Sequence, residues 1–267
     1  MKHQFTHLAH QRDTYVIKAG TDALCDNGKP SEKIMRRLAY QMAKIREHAR
    51  VILVSSGAIG TGGSLLPADV AEAMKENKQA LSGLGQNELM RLWTKYFAAH
   101  GIHCAQGLVE EHDFETEEGR ENMRRTFRQY YEVEDAWGEP IIPIINGNDF
   151  VTLGPIQNDN DRIAGKIAII KKAKHLVILS EIDGLYTGDP HDASSALVPR
   201  VHAGNYDWWQ HVTKGKKSKN GTGGFDTKGA AAEEAALAGV LVHIGNSRTR
   251  NAIHRLLSGA IGTTFYR

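Results

Sequence analysis

The strongest constraint in this sequence is a series of short apolar runs in which hydrophobic residues do not alternate with polar ones. Tyr15-Val16-Ile17, Val51-Ile52-Leu53-Val54, Ile141-Ile142-Pro143-Ile144-Ile145, Leu176-Val177-Ile178-Leu179 and Val240-Leu241-Val242 are too short for helices and rich in β-branched residues. Successive side chains of a strand point to opposite faces, so a strand that is apolar at every position must be covered on both. Longer stretches with helical character lie between these runs, from Ser31 onward, over the alanine-rich Ala230 to Ala238, and from Thr249 to Leu257, and Thr263-Thr264-Phe265-Tyr266 completes the pattern. This βαβ rhythm predicts an α/β fold with a mostly parallel central sheet.

No Pro- or Ser-rich linker and no internal repeat divides the 267 residues, so a single domain, 1–267, is the simplest organisation. The formal net charge is only +2, which demands neither a nucleic-acid nor a membrane partner and leaves a small molecule as the expected ligand. Cys25 and Cys104 form neither a disulfide framework nor a zinc spacing, as expected of a reducing, cytoplasmic setting. Met1 to Asp13 has no apolar run and reads as neither a signal peptide nor a membrane anchor.

In open α/β sheets ligands gather beyond the ends of the strands. Five polar or glycine-rich segments follow strands or precede helices. Lys18-Ala19-Gly20-Thr21 puts a cation beside a glycine, an arrangement that reaches a phosphate or forms an ordinary turn. Ser55-Ser56-Gly57-Ala58-Ile59-Gly60 exposes backbone N–H groups at a strand-to-helix junction, suited to carboxylate or phosphate oxygens or to a tight turn. Asn146-Gly147-Asn148-Asp149 and Asn158-Asp159-Asn160-Asp161 cluster carboxamides and carboxylates that hold an ammonium group, orient lysines, approach a metal, or build turns. Gly221-Thr222-Gly223-Gly224-Phe225-Asp226-Thr227-Lys228 is a glycine run ending in a lysine at a helix start, which folds over phosphates or stays a solvated basic loop. None of these matches a P-loop or a dinucleotide fingerprint. The calcium-loop pattern is incomplete too.

Together and in this order, the segments resemble the amino acid kinase family, and within it the branch that phosphorylates the side-chain carboxylate of glutamate. The resemblance runs from about Tyr15 to Phe265. It rests on Ser55 to Ile59, Lys78-Gln79-Ala80 with Gly85-Gln86, Ile144-Ile145-Asn146 with Asn148-Asp149, Asp159-Asn160-Asp161, Asp183 to Thr187 with Asp189-Pro190, and Gly221 to Gly224 with Thr227-Lys228.

The resemblance implies a three-layer α/β/α sandwich, with an amino-acid-binding half over about residues 14–155 and an ATP-binding half over about 156–267. It implies that Lys18 and Lys228 stabilise the transferring phosphoryl group and that Asp161 holds both lysines. Ser56, Asp149 and Asn160 fall on glutamate-binding positions, with Gly57 and Asn146 close by. Ser180 and Glu181 fall on a pair that contacts ATP, and Thr222, Gly223, Gly224, Phe225, Asp226, Thr227 and Lys228 form the glycine-rich lid. Mg2+ is expected on the ATP phosphates, with no protein ligand assigned. The resemblance further implies a homo-oligomer and feedback inhibition by proline at the amino-acid site, whereas the C-terminal PUA domain that many bacterial members carry is expected to be missing, because the sequence ends at Arg267.

Three positions depart from the family pattern. Gly147 stands where the family has glutamate, Ser180-Glu181 where it has Thr-Asp, and the arginine usual near Val109 to Asp113 is absent. Two rival readings stand beside the glutamate one: a kinase of this fold acting on acetylglutamate, aspartate or UMP, and an amino-acid-binding regulator without catalysis.

Overall fold

In the computed structural model, which describes residues 12–26, 28–151, 159–190, 192–212 and 225–267, the apolar runs become neighbouring strands of one sheet. They are β1 (Thr14–Ala19), β4 (Arg50–Ser55), β6 (Ile141–Gly147), β7 (His175–Ser180), β9 (Leu241–Asn246) and β10 (Thr263–Tyr266). A small antiparallel pair, β2 (Cys25–Asp26) and β3 (Lys29–Pro30), stands apart, while β5 (His103–Val109) and β8 (Arg200–His202) take the two edges. Among the described residues the main sheet has eight strands in the order β5-β6-β4-β1-β7-β9-β10-β8. Every neighbouring pair is parallel except β9 and β10.

The helices are α1 (Thr21–Leu24), α2 (Glu32–Arg46), α3 (Ala58–Ser64), α4 (Ala68–Ala73), α5 (Lys78–Ala98), α6 (Glu111–Glu115), α7 (Glu117–Trp137), α8 (Asn160–Ile170), α9 (Phe225–Leu237) and α10 (Ala252–Leu257). The alternation of strand side chains builds two cores. On one face Ile17, Leu53, Ile144 and Val177 pack with Leu38, Met42, Trp93, Phe97 and Leu256 of α2, α5 and α10. On the other, Val16, Ile52, Val54 and Ile178 pack with Phe127, Ile163, Ile167 and Ala232 of α7, α8 and α9. The result is the three-layer sandwich that the unbroken apolar runs require.

Two elements depart from the sequence reading. The sheet's edge strand β5 has the sequence His-Cys-Ala-Gln-Gly-Leu-Val, with no β-branched run to announce it, and several of its side chains are exposed. The helix expected from Thr249 begins at Ala252, because Asn251 at its start takes a left-handed φ of 54°.

One close contact fixes the first half of the molecule. A Cβ added to Gly62 on α3 would lie 1.9 Å from the Leu81 carbonyl oxygen, and one added to Gly85 on α5 would lie 1.9 Å from that of Ala58. The two helices therefore touch backbone to backbone, and α5 is held over the end of β4 as no larger residue would allow.

Candidate active site

Parallel strands β1, β4, β6 and β7 all end at the same edge of the sheet, and the polar segments singled out in the sequence gather there. Lys18 is the next-to-last residue of β1, Ser56 follows β4, Asn146 and Gly147 close β6, and Ser180 closes β7. The Ser56 N–H donates to the Ala19 carbonyl at 2.9 Å, joining the ends of two of these strands. Gly57 then takes a left-handed φ of 106°, which turns the chain directly into α3.

Asp161 is the centre of the charged part. It lies in the first turn of α8, where the helix dipole favours a carboxylate, and its own N–H donates to Asp159 Oδ1 at 2.8 Å. Its side chain is only 2% exposed. Lys18 Nζ lies 2.6 Å from Oδ1 and Lys228 Nζ, from the first turn of α9, lies 3.2 Å from Oδ2. The Lys18 contact is a close, almost fully buried charge pair. Burial opposes ionisation of Asp161, but the ammonium groups of Lys18 and Lys228 outweigh it and hold its carboxyl below the ordinary value. Burial likewise opposes the charge on Lys228, and Asp161 reverses the balance and raises its pKa. Asp159 is pushed up, by burial and then by the nearby Asp161 carboxylate. A Cβ on Gly20 would come within 2.9 Å of Lys18 Nζ, so the missing side chain leaves room beside that ammonium.

Next to this pair lies a relay of carboxamides. The Gly147 N–H donates to Asn146 Oδ1 at 2.9 Å and to Asn160 Oδ1 at 3.3 Å. Asn160 Nδ2 donates to Asn146 Oδ1 and to Ser56 Oγ, both at 2.9 Å. Asn146 Nδ2 donates to Gln86 Oε1 on α5, again at 2.9 Å. A cleft of about 340 Å³ opens beside them, lined among others by Ala58, Gln86, Gln106, Asn146, Gly147 and Asp149. Among the described residues Asp149 is the cleft's sole ionisable lining group.

The structure thus brings together Lys18, Asp161 and Lys228, and beside them Ser56, Gly57, Asn146, Asn160 and Asp149. Ser180 is buried at the same sheet edge and its Oγ accepts from the Ile182 N–H at 3.4 Å, whereas Glu181 is exposed. Phe225, Asp226, Thr227 and Lys228 open α9, while Thr222, Gly223 and Gly224 lie outside the described residues. Two positions went unassigned in the sequence reading. Gln86 stood in a quoted motif without a role, and Asp22, whose Oδ1 is buried and accepts no hydrogen bond, acts electrostatically on Lys228.

A larger cavity, of about 540 Å³, lies at the opposite end of the strands, lined by Arg46, Arg50 and Glu134 among others. Its buried charges are drawn together around one carboxylate. Glu134 pairs with Arg46 and, at 2.6 Å, with Arg50, and it accepts from the Ile141 N–H at 2.6 Å. We read this network as a structural tie between α2, β4 and α7. Among the described residues no three His, Cys, Asp or Glu side chains converge as a metal-binding group, and no helix is long and apolar enough to cross a membrane.

Comparison with known proteins bears on the family and the fold. Residues 13–246 match the profile of the Amino acid kinase family. The chain is 37% identical over 254 residues to glutamate 5-kinase of Caldanaerobacter subterraneus subsp. tengcongensis, covering 94% of this chain and 67% of that protein. It is 33% identical over 264 residues to glutamate 5-kinase of Enterococcus faecalis, covering 96% of this chain and 95% of that one. Carbamate kinase from Giardia lamblia bound to AMP-PNP shares the fold, with a TM-score of 0.64 at 14% identity over 96% of this chain and 98% of that one. The chain belongs to the amino acid kinase family.

Proposed function

We propose that this protein is a cytoplasmic enzyme that uses ATP to phosphorylate the side-chain carboxylate of L-glutamate, giving L-glutamyl 5-phosphate, the first step of proline biosynthesis. The observation that carries this reading is the arrangement around Asp161. Two lysines from distant parts of the chain meet one buried carboxylate, and an amide-lined cleft that holds Asp149 adjoins them. The similarity to glutamate 5-kinases over nearly the whole chain supports the same acceptor.

In this reading the half up to about residue 155 supplies most of the acceptor cleft and the half from about 156 the nucleotide side. A carboxylate is already a nucleophile, so no general base is needed. One of its oxygens attacks the γ-phosphorus, the bond to the β,γ-bridging oxygen breaks, and ADP leaves. Lys18 and Lys228 stabilise the negative charge spread over the transferring group, and Asp161 keeps them from repelling each other out of position. Asp149 receives the acceptor's ammonium group, and Ser56 and Asn160 orient the reacting carboxylate. Ser180, Glu181 and the segment from Thr222 to Lys228 serve the nucleotide. Mg2+ carried on ATP supplies further charge neutralisation. Asp22 Oδ1, a buried oxygen that accepts no hydrogen bond among the described residues, is the acceptor that would take a hydrogen bond from its hydration shell. Proline, with the same α-ammonium and carboxylate, is expected to compete at the acceptor cleft, and the active form is expected to be a homo-oligomer.

The test is acyl-phosphate trapping. The protein is incubated with Mg-ATP, hydroxylamine and a panel of glutamate, acetylglutamate, aspartate and UMP. Hydroxamate is expected with glutamate above the other acids. Preference for another acceptor overturns the substrate, and no phosphoryl transfer to any of them overturns the enzyme reading.

A further inference from the structure

The described lining of the acceptor cleft must hold an anion without a cation. A dicarboxylic amino acid brings two carboxylates, and only the one that reacts lies toward Lys18 and Lys228. Among the described residues no lysine or arginine lines the cleft. The far carboxylate therefore has to be met by neutral N–H donors, and the hydrogen-bond pattern decides which of them is uncommitted.

The orientation of every amide in the relay follows from one group that can only donate, the backbone N–H of Gly147. Because it donates to Asn146 Oδ1, Asn146 must turn its Nδ2 toward Gln86. Gln86 must then present Oε1 to Asn146, which leaves its Nε2 on the other side of the amide. The Asn146 amino group is given to Gln86, that of Asn160 to Ser56 and Asn146, and that of Asn148 to Glu110 Oε1 at 3.0 Å. Asn87, Gln106 and Gln86 are the cleft amides that donate to no group among the described residues; Asn87 and Gln106 are exposed, whereas Gln86 is half-buried and its Oε1 is held by Asn146. Its backbone is fixed as well, since it follows Gly85, whose Cα packs against α3.

We infer that Gln86 is a specificity-determining residue, whose Nε2 hydrogen-bonds the non-reacting α-carboxylate of the acceptor while its Oε1 is held by Asn146. This rests on the glutamate reading above. It gives Gln86 two separable jobs. Accepting from Asn146 keeps the relay in register, and donating to the substrate selects an acceptor with a carboxylate at that end. A glutamate at this position keeps the first job and abolishes the second, because a carboxylate still accepts from Asn146 but faces the substrate with an oxygen.

Gln86→Glu and wild type are assayed side by side with glutamate and with its α-amide. The variant is expected to raise KM for glutamate by about 10–100-fold, the range for losing a hydrogen bond to a charged group. KM for ATP should stay within about twofold, and the preference for glutamate over the α-amide should shrink or reverse. Gln86→Met, which fills the space but neither donates nor accepts strongly, should raise KM for glutamate too. It guards against a misfolded first variant. A purely structural role predicts the opposite order, with Gln86→Glu nearly normal and Gln86→Met impaired in stability. Either folded variant with an unchanged KM for glutamate and an unchanged amide preference overturns the inference. If the wild type makes no glutamyl phosphate, the glutamate reading falls and this inference with it; if it does and the variants match it, only the role of Gln86 falls.

Discussion

Lys228 and Asp161, 67 residues apart in sequence, meet through a 3.2 Å contact that is nearly buried on both sides, the lysine side chain being 13% exposed and the aspartate 2%. Charge held this way is already oriented before a phosphoryl group arrives. If Lys228 acts mainly on charge that develops in the transition state, Lys228→Ala should lower kcat by about 10²–10³ while changing KM for ATP much less. Lys228→Arg should restore little, because a planar guanidinium cannot put its charge where a compact ammonium sits. Steady-state kinetics of both variants decide it, and a kcat within a few-fold of wild type removes Lys228 from the catalytic group.

Asp161→Asn removes the carboxylate that both lysines contact directly. The loss leaves two buried ammonium groups facing each other, which should cost about 3–5 kcal/mol of stability, the range for breaking a buried ion pair. It should also lower kcat by at least about 10²-fold, since neither lysine keeps its place. Urea unfolding and kinetics on the same preparation test both halves. A variant that is fully stable yet inactive would mean that Asp161 acts on the substrate directly rather than through the lysines.

Much of this site was legible in the sequence because parallel strands end on one side. Once Lys18, Ser56, Asn146 and Ser180 were placed just past apolar runs, the topology itself brought them to one edge. Gln86 was not legible in this way. It sits in the middle of α5, and nothing in local spacing tells that Gly62 and Gly85 let that helix approach close enough for its amide to reach Asn146. The edge strand β5 escaped for a different reason. A strand with an exposed edge needs no continuous apolar run, so His103–Val109 carries none.

Gly85→Ala tests that helix contact. Its added methyl would overlap the Ala58 carbonyl, with 1.9 Å between atom centres and backbone rather than a flexible side chain in the way. Forced repacking of this kind costs about 1–3 kcal/mol, and α5 should shift away from α3. Because Gln86 moves with it, KM for glutamate should rise together with the loss of stability. Gly101→Ala is a useful contrast, since that glycine has open space around its Cβ position and only its φ of +67° to strain. It should destabilise the fold with no change in KM for glutamate.

The buried histidine pair makes the fold sensitive to acid. His175 Nδ1 and His243 Nε2 lie 3.0 Å apart, and His243 Nδ1 lies 3.1 Å from Thr264 Oγ1, so the chain of contacts needs at least one neutral ring. Burial and then the neighbouring His175 push His243 down to about 4, and burial followed by Lys174 lowers His175 as well. In the unfolded chain both rings titrate near the ordinary value of about 6.5. Between these values the unfolded chain binds more protons than the folded one, so the contribution is complete above about pH 6.5 and is lost as pH falls toward 4. For His243 alone the loss is on the order of 3 kcal/mol across that window. Urea unfolding at pH 7.5 and pH 5 should therefore show a lower midpoint at the acid pH. His243→Gln, which keeps a polar group but does not titrate, should flatten the difference while lowering stability at pH 7.5. An acid-induced drop of the same size in the variant would assign the sensitivity to other groups.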